Sequence, residues 1–246
     1  MSSGFTSFVS AAAAGIGDIA RGIADLIYPP KCVVCGDIQP RHLCEACLSK
    51  IAYIEPPVCH KCGLPLDDGK CRQAMCGRFP FFQARAVVIY EGVVRQAIHE
   101  LKYAGLTVVA QELRDLMTAF LFRTPDFAID ASCVVPLPIH SSRQRERGFN
   151  QSALLATGVA DYLHLSIDSK SLVRRVATRP QVELSEHERM ENVKGAFVAA
   201  ENAFAGQAVL LVDDILTTGS TAAEAAAALR KAGARAVYVL TLARSC

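Results

Sequence analysis

The chain has 246 residues, of which 51% are hydrophobic and 20% charged, with a formal net charge of +2. This composition is typical of a globular protein with room for one mid-sized domain and one small one, and it argues against long disorder. The near balance of charge argues against a generally polybasic nucleic-acid binder, while leaving room for a local basic patch.

The N-terminal segment 1–30 carries isoleucines at helical spacing and ends in two prolines. It predicts an amphipathic helix over about 14–28, packed on a neighbouring element. Contact with a membrane surface is the alternative, although the polar face is poorly basic for that role. The apolar stretch 8–27 has no preceding Lys or Arg and contains three charged residues. We therefore expect no secretory signal, no stable membrane insertion and a cytoplasmic location.

Eight of the ten cysteines lie between residues 31 and 80. In a reducing compartment, such a cluster binds metal more often than it forms disulfides. The spacings Cys-x2-Cys-x8-Cys-x2-Cys and Cys-x2-Cys-x8-Cys-x4-Cys each offer four thiolates to a tetrahedral ion, with no open position for water. They predict a double zinc ribbon with structural zinc. Disulfides and an iron–sulfur cluster are the alternatives, and the two sets can pair in sequence or interleave. The predicted ligands are Cys32, Cys35, Cys44, Cys47, Cys59, Cys62, Cys71 and Cys76.

From residue 84 onward, apolar β-branched runs alternate with apolar residues at helical spacing. In chain order the pattern predicts a strand at 84–90, helices at 93–102 and 108–121, a strand at 134–138, a helix at 152–163, a strand at 209–212, a helix at 221–232 and a strand at 236–242. This order predicts an α/β domain over 84–246, with a mostly parallel sheet and helices on both faces.

The predicted strand at 209–212 runs into Asp213 and Asp214, and a loop of small residues then leads into a helix. Ligands gather at the carboxyl ends of parallel strands, and the N–H groups at a helix start attract anions. The loop residues are Thr217, Thr218, Gly219, Ser220 and Thr221. Two carboxylates would repel a phosphate but suit sugar hydroxyls or a ligand-borne Mg²⁺ ion. The segment therefore predicts a site for a phosphorylated ribose.

An arginine-rich stretch follows the predicted strand at 134–138. Three arginines beside a glycine predict a mobile, cationic arm for phosphate oxygens, and a solvated charged loop is the alternative. For a second cluster at 174–179, function and an ordinary surface are equally favoured. Lys102 closes a predicted helix, a place where a cation often only complements the helix dipole. The candidates for a pyrophosphate site or flexible arm are Lys102, Pro136, Arg143, Arg147, Gly148, Asn150 and Gln151.

The string 208–221 closely resembles the phosphoribosyl pyrophosphate (PRPP) motif of type I phosphoribosyltransferases. Together with the cysteine pairs, Leu101–Tyr103 and Arg147–Gln151, it resembles the ComF family. That family joins a cysteine-rich zinc segment to a phosphoribosyltransferase-like domain and is associated with DNA uptake in bacterial competence. The resemblance implies a type I phosphoribosyltransferase-like fold. It also implies PRPP or another ribose phosphate as ligand, with Mg²⁺, the 5′-phosphate on 217–221 and the ribose on Asp213 and Asp214.

Two functions are compatible with these residues. The first is a phosphoribosyltransferase, for which the sequence identifies neither an acceptor nor catalytic residues. The alternative is a non-catalytic adaptor of the uptake machinery that binds single-stranded DNA through its zinc ribbons and arginine arms, with a competence helicase as partner. The thin supply of aromatic residues counts against the alternative, because single-strand binding relies on base stacking.

Overall fold

The computed structural model describes residues 29–176 and 192–246, so the helix predicted at 14–28 lies outside the described residues. The chain divides into two compact units, Met1–Ser49 and Lys50–Cys246. In the described part of the first unit, the one helix is α1, Glu45–Leu48. The thiol of Cys44 caps α1 by accepting a hydrogen bond from the N–H of Cys47 at 3.2 Å. Among the described residues, no helix is both long enough and apolar enough to span a membrane.

The second unit alternates strands with helices. Its strands are β1 (Gln83–Ile89), β2 (Cys133–Pro136), β3 (Ser166–Ile167), β4 (Leu172–Arg174), β5 (Phe197–Ala199), β6 (Ala208–Leu216) and β7 (Ala236–Arg244). Its α-helices are α2 (Gly92–His99), α3 (Ala110–Arg123), α4 (Ser141–Arg147), α5 (Gln151–Leu163) and α6 (Ser220–Lys231). Short turns of other helical types occupy Cys76–Arg78, Glu100–Ala104 and Thr107–Val109.

A five-stranded parallel sheet in the order β1-β7-β6-β2-β3 forms the frame of this unit. The central strands β6 and β7 are buried almost throughout, as expected for a parallel sheet covered on both faces. Helix α6 and the antiparallel strand pair β4-β5 pack on one face, where Val209, Leu211, Ala225 and Leu229 belong to one apolar cluster. Helices α3 and α5 pack on each other and on the other face. The predicted α/β fold is confirmed.

Two predictions about local structure need correction. The strand predicted at 209–212 continues to Leu216, because it pairs with β7 as far as the Leu216–Arg244 rung. The two acids therefore lie inside a buried strand and not in a loop after it. The arginine-rich stretch, expected to be a mobile arm, is the helix α4. Its start is capped by the ring nitrogen of His140, and Gly148 ends it in the left-handed conformation at φ 80°.

Candidate functional site

A cavity of about 370 Å³ opens where the parallel strands end. Tyr90 follows β1, Leu137 follows β2 and Ser245 follows β7, and all three line it. Nine of the predicted site residues line the same cavity, namely Lys102, Arg143, Arg147, Gln151, Asp213, Asp214, Thr217, Gly219 and Thr221. The carboxyl edge of the sheet thus brings together groups from six separate elements and loops, as parallel α/β folds do for their ligands.

The other predicted residues of the site do not line this cavity. Pro136 is the buried last residue of β2, and Gly148 ends α4. The side chain of Asn150 caps α5 by accepting from the N–H of Ser152 at 3.0 Å, and it donates to the carbonyl of Leu137 at 3.0 Å. Thr218 and Ser220 face away from the cavity, toward a neighbouring pocket. Their hydroxyl oxygens lie 2.8 Å apart.

The two acids are buried side by side, with 8% of Asp213 and 3% of Asp214 exposed. Burial, and then the neighbouring charge of Asp214, raise the pKa of Asp213 well above its usual range, although Ser152 donates a hydrogen bond to its carboxylate at 2.8 Å. Burial also disfavours the charged form of Asp214, but the ion pair with Lys102 outweighs it and lowers the pKa of Asp214. The pair therefore favours a state with one proton and one charge.

Lys102 reaches this site because the helix that carries it changes type. After α2, a π-helical turn over Glu100–Ala104 shifts the register of the side chains, and such turns are frequent at functional sites. Burial lowers the pKa of Lys102, but Asp214 more than reverses this, so the pKa is raised and the ammonium is retained. Lys102 is therefore an ion-pair partner inside the cavity and more than a complement to the helix dipole.

The loop between β6 and α6 has the geometry of an anion site. Gly219 adopts φ 85° at the start of α6, a conformation that residues with a Cβ rarely take. The first turn of α6 contains no acidic residue, so the positive end of the helix is not neutralised by its own side chains. Thr217 and Thr221 add hydroxyl groups at the cavity wall. The loop can therefore hold an anion beside the two carboxylates.

Three arginines form the cationic side of the cavity. Arg147 lies over the ring of Tyr103 at 5.2 Å and donates to the side chain of Gln151 at 3.1 Å. Arg174 comes from β4, a strand that the sequence pattern did not predict. Burial, and then the nearby charge of Arg143, lower the pKa of Arg174, while Asp213 opposes this. Arginines held this close to one another favour binding of a multiply charged anion.

The eight clustered cysteines form two groups of four, paired in sequence and not interleaved. A tetrahedral zinc ion with Zn–S bonds of about 2.3 Å sets its sulfurs about 3.8 Å apart, whereas a disulfide bond is about 2.0 Å long. The sulfur–sulfur distances are 3.7 Å for Cys32 and Cys47, 3.6 Å for Cys35 and Cys44, 3.9 Å for Cys59 and Cys76, and 3.5 Å for Cys62 and Cys71. Both clusters fit structural zinc.

Each cluster contains at least one thiol with a lowered pKa. Burial opposes ionisation of Cys59, but the backbone N–H groups of Cys62 and Lys61 outweigh it and lower the pKa of Cys59 to about 7. In the same way, N–H groups that include that of Cys35 lower the pKa of Cys32 to about 6. Zinc binds the thiolate and not the thiol, so metal binding must also deprotonate the other thiols of each cluster, such as Cys62 and Cys47, whose pKa is raised by burial.

Two family models match separate parts of the chain. A double zinc ribbon domain model matches residues 23–79, and a phosphoribosyl transferase domain model matches residues 150–245. The DNA utilization protein YhgH of Escherichia coli K12 is 34% identical over 211 residues, which cover 82% of this chain and 90% of that protein. Competence protein F of Haemophilus influenzae is 39% identical over 115 residues, which cover 46% of this chain and 50% of that protein.

The chain belongs to the ComF family. A further relative, Competence protein ComFC of Bacillus subtilis, is 29% identical over 212 residues, which cover 82% of this chain and 84% of that protein. Among solved structures, a glutamine PRPP amidotransferase from B. subtilis matches this chain at 20% identity and a TM-score of 0.37. The match covers 55% of this chain and 26% of that protein's chain. That score is too low to add to the assignment. The assignment rests on the 34% identity with YhgH over 82% of this chain, together with the two domain models and the competence proteins.

Proposed function

We propose that this ComF family member binds PRPP in the cavity at the carboxyl edge of its sheet. The loop 217–221 holds the 5′-phosphate, and Asp213 and Asp214 accept hydrogen bonds from the ribose hydroxyls. The arginines of α4 and β4 take the pyrophosphate. One observation carries the proposal: a single cavity holds a buried carboxylate pair, a helix start without acidic residues and a cationic wall. Ribose, phosphate and pyrophosphate each need one of these three surfaces.

Magnesium fits this arrangement as a companion of the ligand. Carboxylate oxygens are suitable Mg²⁺ ligands, and Asp213 and Asp214 offer them beside the expected pyrophosphate. Lys102 already neutralises Asp214 through its ion pair. Asp213 would therefore be the carboxyl available to hold Mg²⁺, once it has released its proton, and phosphate oxygens and water would supply further ligands. When bound, the ion would supply positive charge to the leaving pyrophosphate.

The printed names of the relatives, DNA utilization protein and Competence protein, extend the proposal from a ligand to a process. We propose that PRPP binding serves the uptake or use of DNA, with transfer of the phosphoribosyl group to an acceptor as its chemical outcome. The cavity supports this step by positioning and by charge stabilisation of the leaving group, the two effects on which such a displacement depends.

Titration calorimetry of the zinc-loaded chain with PRPP and Mg²⁺ tests the proposal. The double substitution Asp213→Asn/Asp214→Asn should abolish the binding heat, because it removes the negative charge of the pair and leaves each side chain one acceptor oxygen where it had two. Asp161→Asn, at an exposed position on α5, is the matched control and should bind as the wild type does. Ribose 5-phosphate and pyrophosphate, titrated separately, should each bind more weakly than PRPP, because each fills part of the cavity.

Absence of heat from folded, zinc-loaded wild type would refute PRPP as the ligand. The same preparation should then be titrated with single-stranded DNA over a range of salt concentrations. A steep loss of affinity with salt would identify the alternative adaptor function, because release of counterions from phosphates dominates such binding.

A further inference from the structure

The second cysteine cluster is connected to the phosphate loop by a chain of three side-chain hydrogen bonds. The guanidinium of Arg244 donates to the carbonyl of Cys62 at 2.6 Å and to the amide oxygen of Gln73 at 2.7 Å. The amide nitrogen of Gln73 in turn donates to the carbonyl of Thr218 at 2.7 Å. Gln73 lies between the third and fourth cysteines of the cluster, and Arg244 is the last residue of β7.

We propose that Gln73 and Arg244 are positioning residues that hold the loop 217–221 in its anion-binding shape, and that they make this shape depend on the metal in the second cluster. The inference deepens the proposed function, because it concerns how the same phosphate site is formed. It assigns the second ribbon a part in ligand binding that goes beyond stabilising its own fold.

The hydrogen bond to Thr218 acts on the neighbouring amide. In a trans peptide the C=O and N–H point in opposite directions. Gln73 holds the carbonyl of Thr218 on the ribbon side of the loop, so the N–H of Gly219 is directed to the opposite side. Gly219 lines the cavity, whereas Thr218 lines the pocket that Gln73 shares. Without the hydrogen bond this peptide plane is free to rotate, and the cavity loses a fixed N–H donor.

A second contact joins the ribbon to the same peptide unit. Phe79, three residues after the last cysteine of the cluster, packs on Gly219 so closely that an added Cβ would lie 3.0 Å from the ring. Phe79 also stacks on the buried Phe81 at 4.9 Å between ring centroids. The loop is therefore held by an apolar contact at Gly219 and by a polar one at Thr218, both from the segment that follows Cys71.

The charge of Arg244 explains why the metal matters. Only 1% of Arg244 is exposed, and a buried cation needs compensating charge as well as hydrogen bonds. A zinc ion held by four thiolates carries a net double negative charge. Arg244 donates to the carbonyl of Cys62, so this cation lies directly beside the second cluster. Loss of the metal frees the residues around Cys71, and Gln73 then loses its anchor.

Hydrogen–deuterium exchange tests the link without any ligand. Cys71→Ser should raise exchange of the 217–221 amides severalfold, because it removes a ligand from the second cluster. Cys44→Ser, which removes a ligand from the first cluster, is the matched control and should leave this exchange unchanged. Equal exchange of the loop in Cys71→Ser and wild type would overturn the inference. If exchange of the loop rises in Cys71→Ser but the wild type does not bind PRPP, the proposed ligand is refuted. The connection between the second cluster and the loop is then retained.

Gln73→Glu tests the positioning role with zinc in place. It keeps the acceptor for Arg244 but sets a carboxylate oxygen against the carbonyl of Thr218. We expect affinity for ribose 5-phosphate and for PRPP to fall by the same factor, about tenfold, as for the loss of one hydrogen bond. Zinc content should stay at the wild-type level. The control is Gln207→Glu. In the wild type, the Gln207 amide also donates to a backbone carbonyl, that of Ala203, and Gln207 directly precedes the first residue of β6.

Two results of that titration would count against the positioning role. One is wild-type affinity in Gln73→Glu. The other is an equal loss of affinity in Gln207→Glu, which would trace the effect to general destabilisation. Gln73→Glu should also make affinity less sensitive to a zinc chelator than it is in wild type, because the connection is already broken.

Discussion

We expect the ionisable side chain of Asp213 to lower the free energy of unfolding, so that Asp213→Asn stabilises the protein. Its pKa in the folded chain is raised above the value of 3.8 that it has when unfolded, because the carboxyl is buried beside Asp214. Above about pH 4 the folded chain keeps a proton that the unfolded chain has lost. The contribution of Asp213 to stability therefore falls as pH rises, until Asp213 ionises in the folded state as well. Asp213→Asn removes this penalty and retains an acceptor for Ser152.

The size of the effect follows from proton linkage. One proton held only by the folded state lowers the free energy of unfolding by about 1.4 kcal/mol for each pH unit. The upper limit for the gain in Asp213→Asn is therefore about 3 kcal/mol near pH 6, and in a chain of this size each kcal/mol raises Tm by about 2–4 °C. The difference in Tm between variant and wild type should widen from about pH 4 and then level off.

Scanning calorimetry of both proteins across this pH range provides the assay, with exposed Asp161→Asn as the control. Zinc loss at low pH is common to all three proteins and cancels in the difference. A gap in Tm that does not change with pH would show that Asp213 is not held neutral, and a variant less stable than wild type at every pH would refute the reasoning. We expect the stabilised variant to bind PRPP poorly, a trade-off that is typical of functional sites.

Three further variants test the site. Asp214→Asn should lower the free energy of unfolding, measured in urea, by about 3–5 kcal/mol, because buried Lys102 loses its ion-pair partner. This effect is opposite in sign to that of Asp213→Asn. Gly219→Ala should reduce Tm more than Gly206→Ala. Both glycines have positive φ, but only at Gly219 would the added Cβ meet a side chain, that of Phe79. Equal losses of Tm would contradict this reasoning. Arg147→Lys should weaken pyrophosphate binding about tenfold by calorimetry, because Lys lacks the planar fork of Arg. Unchanged affinity would exclude Arg147 from the anion site.

The sequence predicted the parts of the molecule that depend on local pattern. Hydrophobic periodicity identified the main strands and helices of the second unit, and cysteine spacing identified both clusters. The short string of acids and small residues marked the loop before α6, because strand, turn and helix start each need particular residue types within a few positions. The strand-to-helix loop was thus recognisable without any knowledge of the sheet order.

The groups that complete the site were harder to predict, because they come from distant parts of the chain. Ser152 reaches Asp213 across 61 positions of sequence, and no periodicity marks such a contact. Arg174 lies on a three-residue strand that is too short to give a pattern. The extension of β6 beyond residue 212 is imposed by pairing with β7 and overrides the rule that acids end strands. Tertiary pairing decides each of these cases.

Buried polar residues mark where the fold departs from a continuous apolar core. Among the described residues, the buried polar or charged residues are Glu112, Gln151, Ser152, Asp213, Asp214, Ser220, Thr241 and Arg244. Gln151, Asp213 and Asp214 line the cavity, Ser152 donates to Asp213, and Thr241 pairs with Asp213 across the sheet. A parallel sheet covered on both faces is otherwise a continuous apolar core, so each of these groups carries a desolvation cost. The cost is concentrated where β6 and β7 end, at the Leu216–Arg244 rung. One side of that rung leads into the phosphate loop, and the other supplies the guanidinium that contacts the second ribbon. Because both features depend on the same rung, a change that shortens this ladder should disturb the ribbon and the loop together.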